Sequence, residues 1–175
     1  MADFAISDPS SHTDEPRVYK GPFGPVEIHQ TKMPDLSFTL AGSNVPPSRL
    51  DLGTYAWLPR RVIKSRKGKP LIAQVGDLEV TIRNRRRPCL AGFRDPTLGA
   101  QANDRRYVLR LKQFGSWKVI GSDGSVRAML RKQRWIDDSC DALDVAVILL
   151  LRSLGVVYEG LVTQGASGAA MTVGG

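Results

Sequence analysis

Apolar and polar residues alternate along the middle of the chain, and the alternation marks short β-strands. Val26 and Ile28, then Leu36, Phe38 and Leu40, keep to every second position on either side of Met33-Pro34-Asp35. A period of two puts such residues on one face of a strand. Leu71 to Val75 and then Leu78, Val80 and Ile82 repeat the pattern around Gly76-Asp77, which reads as a hairpin turn. Tyr107, Leu109 and Leu111 alternate with Val108, Arg110 and Lys112, a half-buried strand with one basic face. Trp117, Val119 and Ile120 follow before the turn Gly121-Ser122-Asp123-Gly124.

After that turn the period lengthens. Val126, Met129, Leu130 and Gln133 fall at i, i+3, i+4 and i+7, which predicts an amphipathic helix over 125–135, capped by Ser125. A second helix is expected over 138–154, opened by Asp137-Asp138-Ser139 and ended by Gly155 as its C′ residue. Its run Val145 to Leu151 is apolar on every face, so it has to be buried in the domain or in a partner. Val156 to Glu159 with Leu161-Val162 reads as a final short strand. The fold class this implies is α+β: an antiparallel sheet over 26–120, two helices, and one last strand.

The ends of the chain carry little pattern. Residues 1–24 hold Pro9, Pro16 and Pro22 with no surviving period and read as an extended arm. Residues 88–104 read as irregular, and 165–175 as a flexible Gly/Ala-rich tail around a single domain over 25–164. The N-terminus lacks the basic and apolar regions of a signal peptide, and the longest apolar run is far short of the ~20 residues a membrane span needs. The expected location is intracellular, in cytoplasm or nucleus, peripheral to a membrane at most. Cys89 and Cys140 form no metal or redox spacing.

Charge is unevenly placed. Residues 1–50 carry a net −2, residues 51–134 a net +14, and residues 135–175 a net −4, within a total of +8. The basic segment over 60–134 divides into four clusters. They are Arg60, Arg61, Lys64, Arg66, Lys67 and Lys69; Arg83, Arg85, Arg86 and Arg87; Arg105, Arg106, Arg110 and Lys112; and Arg127, Arg131, Lys132 and Arg134. Like charges at this density repel unless an anionic partner screens them. Arginine predominates, and its guanidinium fork bonds two phosphate oxygens at once. Tyr55, Trp57, Trp117 and Trp135 stand beside these clusters, where they could stack on bases or sit at a membrane interface.

Catalytic signatures are weak. His12 and His29 have no partner motif, and four ligands at metal spacing are not found. Asp77/Glu79 resembles the acid pair of a metal nuclease, but Thr81 stands where such a site needs lysine. No phosphate-binding glycine motif occurs. The expectation is a non-enzymatic, cofactor-free basic protein that binds a polyanion, nucleic acid or an anionic membrane surface, and self-associates through its arm and apolar C-terminal region. In general build it is similar to small viral matrix and coat proteins, although Val45-Pro46-Pro47-Ser48 lacks the tyrosine of a Pro-Pro-x-Tyr motif. A sequence-tolerant RNA- or DNA-binding regulator without an assembly role is the alternative, and a metal-dependent nuclease a distant third.

Overall fold

Eleven strands follow one another as an antiparallel meander. They are β3 (Arg17–Gly21), β4 (Gly24–Gln30), β5 (Asp35–Gly42), β6 (Ser48–Thr54), β7 (Leu71–Val75), β8 (Leu78–Asn84), β9 (Thr97–Ala102), β10 (Arg105–Leu111), β11 (Trp117–Ile120), β12 (Val126–Arg131) and β13 (Gln133–Ile136). Before them come the two-residue strands β1 (Ala2–Asp3) and β2 (Ala5–Ile6), and after them one helix, α1 (Ala142–Ala169). This computed structural model describes residues 2–3, 5–6, 17–31, 35–54, 70–84, 97–111, 117–131 and 133–169.

The N-terminal segment joins the two ends of the meander. Ala2 and Asp3 pair with Ile136 and Trp135 of β13, while Ala5 and Ile6 pair with Lys20 and Tyr19 of β3. One segment therefore holds both outer strands, and the sheet closes into a barrel. Closure also removes the free edges through which open sheets associate.

Along each strand, alternate residues turn inward. Leu71, Ala73 and Val75 are buried while Ile72 and Gln74 are exposed. Leu98, Leu109, Val119 and Ala128 stand in register across β9 to β12 as one inward row. The helix fills the space they enclose. Val145 to Leu151 and Leu154 are each at most 1% exposed. A helix buried on every face needs walls on every side, which the barrel supplies. Tyr107, near the start of β10, bonds to Asp144 near the start of α1. Gly155 lies against Leu111, Trp117 and Leu109. The helix thus runs through the barrel alongside β10, in the same direction.

The α+β expectation is overturned: the fold is mainly antiparallel sheet with a single C-terminal helix. Residues 125–135 are not a helix but the β12–β13 hairpin, in which Ala128 pairs with Ile136 and Met129 with Trp135. The helical spacing at Val126, Met129 and Leu130 arises because the β11–β12 ladder shifts register, leaving Arg127 as an extra residue between Val126 and Ala128. One inserted residue turns a period of two into an apparent three. Ser125 caps nothing; its amide and hydroxyl both donate to Asp123 Oδ1 in the preceding turn.

The real helix begins later and ends later than expected. Asp141 and Asp144 form a reciprocal cap, each backbone N–H donating to the other's carboxylate at 3.0 and 2.9 Å. Val156 to Val162 continue the helix rather than forming a final strand. Gly155 is no stop signal. A Cβ there would sit 3.1 Å from both Leu111 Cδ2 and Trp117 Cζ3, so glycine lets the helix approach the wall. Residues 97–102, placed in an irregular stretch, are strand β9, and 17–21 of the expected arm are β3.

No helix among the described residues is long and apolar enough to cross a membrane. Outward strand positions carry Glu27, His29, Arg49, Asp51, Gln74, Arg83, Gln101, Arg106 and Arg110, all exposed. That places polar groups where a transmembrane barrel carries its apolar band.

Candidate polyanion-binding wall

Strand direction alternates around the barrel, so the connections fall at two rims. The entry rim, where α1 enters, holds the turns 22–23, 43–47, 76–77, 103–104, 121–125 and 137–141. These carry six aspartates, Asp77, Asp104, Asp123, Asp137, Asp138 and Asp141, and no Lys or Arg. The exit rim anchors the connections 7–16, 31–34, 55–70, 85–96, 112–116 and 132. By sequence these contain thirteen Lys/Arg and four acids. Arg60, Arg61, Lys64, Arg66, Lys67, Lys69, Arg85, Arg86, Arg87, Lys112, Lys132, Tyr55 and Trp57 lie outside the described residues, as does the side chain of Arg131; the strand ends that flank them share this rim.

The described cations divide by role. Arg105 is an anchor for the helix: its Nη1 donates to Asp141 Oδ2 at 2.7 Å and to Asp144 Oδ1 at 3.0 Å. Tyr107 donates its hydroxyl to the same Asp144 oxygen at 2.6 Å. The Asp141 contact, with Asp144 behind it, raises the Arg105 pKa, and burial followed by the Asp144 bond raises that of Tyr107. Burial opposes ionisation of Asp141, but the Asp144 amide and Arg105 together hold its carboxyl below its ordinary value.

Arg127 is a tie within the entry rim. It donates to Ser139 Oγ at 2.7 Å and pairs with Asp123 at 3.0 Å. Asp123 is held below the ordinary carboxylate range by Ser125, and Asp137 by Ser139. Burial pushes the Cys140 thiol up to about 11, with Asp144 adding to the effect. Arg134 is half-buried opposite Leu130. Trp117 is 4% exposed and belongs to the core, so it offers no ring to a ligand. Trp135 is half-buried on the outward face, between Met129 and Asp3 in register.

Arg83, Arg106 and Arg110 remain, and all three point outward and are exposed. Arg110 stands directly opposite Lys118 of β11, a residue that clustering along the sequence did not single out. Its signal was present: Lys118 sits between the inward Trp117 and Val119, so the alternation alone turns it outward. Like charges directly opposed across a ladder destabilise a sheet. None of Arg83, Arg106, Arg110 and Lys118 has an ion-pair partner among the described residues. Outward positions of β9, β10 and β11 are Thr97, Gly99, Gln101, Arg106, Val108, Arg110, Lys118 and Ile120, with no acid.

These four cations come from two sequence clusters and one overlooked position, brought together on a single wall by the β8–β9–β10–β11 order. The described residues contain no cluster of His, Cys, Asp and Glu able to hold a metal ion. No protein-family model matches the chain, and no curated protein or solved structure is significantly similar to it.

Proposed function

We propose that this is a non-enzymatic polyanion-binding protein that uses its β8–β11 wall as a cationic surface. The observation that carries the reading is the Arg110–Lys118 pair, two cations held opposite one another with no acid on their strands' outward faces. Such an arrangement costs stability in the free protein and is relieved when an anion binds.

Of the two forms this function can take, a binding protein with no assembly role is the better supported. Self-association was expected through the arm and the apolar C-terminal segment. The apolar helix lies inside its own barrel, and the N-terminal segment pairs with its own β3 and β13. The deciding experiment is binding to oligo(U) RNA and to phosphatidylserine vesicles across a salt series. Affinity for at least one is expected to fall steeply as salt rises, because each neutralised phosphate releases counter-ions. Failure to bind either polyanion at 50 mM salt would remove the reading.

A further inference from the structure

Resting on that polyanion reading, we infer that strand β9 is the floor of a lane for the sugar–phosphate backbone of a single-stranded nucleic acid. The residues of β9 in register with the outward side chains of its neighbours are Thr97, half-buried, Gly99, buried, and Gln101, exposed, none of them large or charged. The strand on each side raises arginines beside this floor. Arg83 of β8 stands opposite Gly99, Arg106 of β10 opposite Gln101, and Arg110 of β10 opposite Thr97. The register therefore staggers three guanidinium groups, alternately left and right, along one strand.

The spacing suits a chain of phosphates. Residues two apart on a strand are separated by about 6.8 Å, and the flanking strands are about 9.6 Å apart. Successive arginines thus meet the lane at intervals of about 6.8 Å, within the range over which consecutive phosphates of an extended single strand follow one another. Each guanidinium can hold two oxygens of one phosphate. Gly99, at the middle of the floor, adds no side chain between Arg83 and Val108 and is itself buried between its neighbours, so contact with a strand falls to the arginines. The one acid on β8, Glu79, accepts a bond from Gln74 of β7 at 3.2 Å, on the side of β8 away from β9.

The same wall argues against an anionic bilayer as the occupant. A membrane-seating face inserts exposed apolar side chains. Val108, Ile120, Met129 and Trp135 are each only half-exposed, and Ile72, exposed at 41%, is on β7 and outside the lane. Charge dominates this surface, and it is arranged in a line.

The test is fluorescence anisotropy of labelled twelve-residue oligo(U), run in parallel with phosphatidylserine vesicle sedimentation. Arg83→Gln/Arg106→Gln/Arg110→Gln is expected to flatten the log–log salt slope by about 2 and weaken oligo(U) binding by roughly a hundredfold at 0.1 M salt, at about 0.7 of slope per contact. Gln101→Glu changes one exposed atom type on the floor and keeps the shape; its new carboxylate beside Arg106 is expected to cost about fivefold. Unchanged affinity and slope in both variants would overturn the lane and leave polyanion binding elsewhere on the surface. Binding to vesicles without binding to oligo(U) would overturn it in the same way. No binding to either probe would overturn the lane and the polyanion reading together.

Discussion

The two sides of the barrel wall treat charge in opposite ways. On β4 to β7 the described charges Glu27, His29, Arg49 and Asp51 are paired with one another, and Asp35 at the start of β5 is the one without an ion pair among the described residues. His29 meets Glu27 at 3.1 Å, the Arg49 Nε–H is shared between Asp51 Oδ1 and Oδ2 at 3.1 and 3.0 Å, and Gln74 donates to Glu79. On β8 to β11 the cations stand beside one another or beside small neutral residues. The strands have the same antiparallel pairing and the same inward apolar rows, so the fold does not require the imbalance. One side is a solvated surface whose charges complete each other, and the other is a surface that an external anion would complete.

The largest effect that bears on this contrast is one that should not distinguish the sides. Both walls pack on α1, and Leu149 is fully buried among them. Leu149→Ala is expected to cost about 2–5 kcal/mol, the usual range for a leucine cavity that only partly collapses. Chemical denaturation checks the size, and the midpoint should not depend on protein concentration, because the helix is enclosed by its own chain. A concentration-dependent midpoint would show that the helix also serves an interface. At temperatures where the variant stays folded, its oligo(U) binding should match the parent, which separates lost binding from lost folding.

Next in size is the anchor that sets the helix in its barrel. Asp144 is 8% exposed and accepts from Tyr107, Arg105 and the Asp141 amide. Asp144→Asn removes the charge from hydrogen bonds of a type that contributes about 1.5–3 kcal/mol, so a loss of about 2 kcal/mol is expected. The pH profile tests the same anchor. The Asp141 pKa is depressed in the fold, so its contribution is complete above the ordinary carboxylate value of about 3.9 and is lost as pH falls through the folded value. The Cys140 pKa is raised to about 11, so its contribution is complete below the ordinary thiol value and declines as pH rises toward about 11. Melting temperature should therefore be flat from about pH 5 to 8 and fall on both sides. Asp141→Asn should remove part of the acid limb only.

Much of the sheet was legible in the sequence, because strands flanked by clean turns keep a period of two. Gly76-Asp77 and Gly121 to Gly124 marked their hairpins correctly, and Gly76 and Gly124 take the positive φ of 57° and 82° that such turns use. The β12–β13 hairpin was not legible, since the extra Arg127 disguised its period and only Lys132 separates the strands. Barrel closure was not legible either. It depends on Ala2 finding Ile136, a pairing 134 positions apart that no local pattern encodes. The cationic wall was half legible. Arg83, Arg106 and Arg110 were named with their neighbours in sequence, but Arg105 beside Arg106 faces the other way and belongs to the helix anchor. Clustering along the chain counts charges, and alternation decides which face receives them.

A smaller effect should appear with the opposite sign on the basic wall. Lys118→Glu replaces a like pair with an opposite one across the β10–β11 ladder. It is expected to stabilise the protein by about 0.2–1 kcal/mol. The same change engages Arg110 and should weaken oligo(U) binding by about fivefold at 0.1 M salt, one phosphate contact's worth. Gain of stability with loss of affinity is the signature of a residue kept for a ligand. A variant that lost both would show that Lys118 has a structural role.

The smallest effect is expected from the matching change on the opposite wall. Arg49 and Asp51 lie two apart on β6, with side chains 64% and 58% exposed, so water screens their attraction whatever the geometry. Exposed pairs of this kind contribute about 0–1 kcal/mol, and the lower half of that range fits a pair so open to solvent. Arg49→Gln should therefore move the unfolding midpoint barely outside error. Binding should not move at all, because Arg49 already has its anion and faces a wall with no lane. The result matters because it holds the number of lost positive charges equal to that in Arg110→Gln. If binding depends only on net charge, the two variants lose affinity equally and the contrast between the walls has no functional content. If Arg110→Gln weakens binding and Arg49→Gln does not, position in the barrel is what the ligand reads.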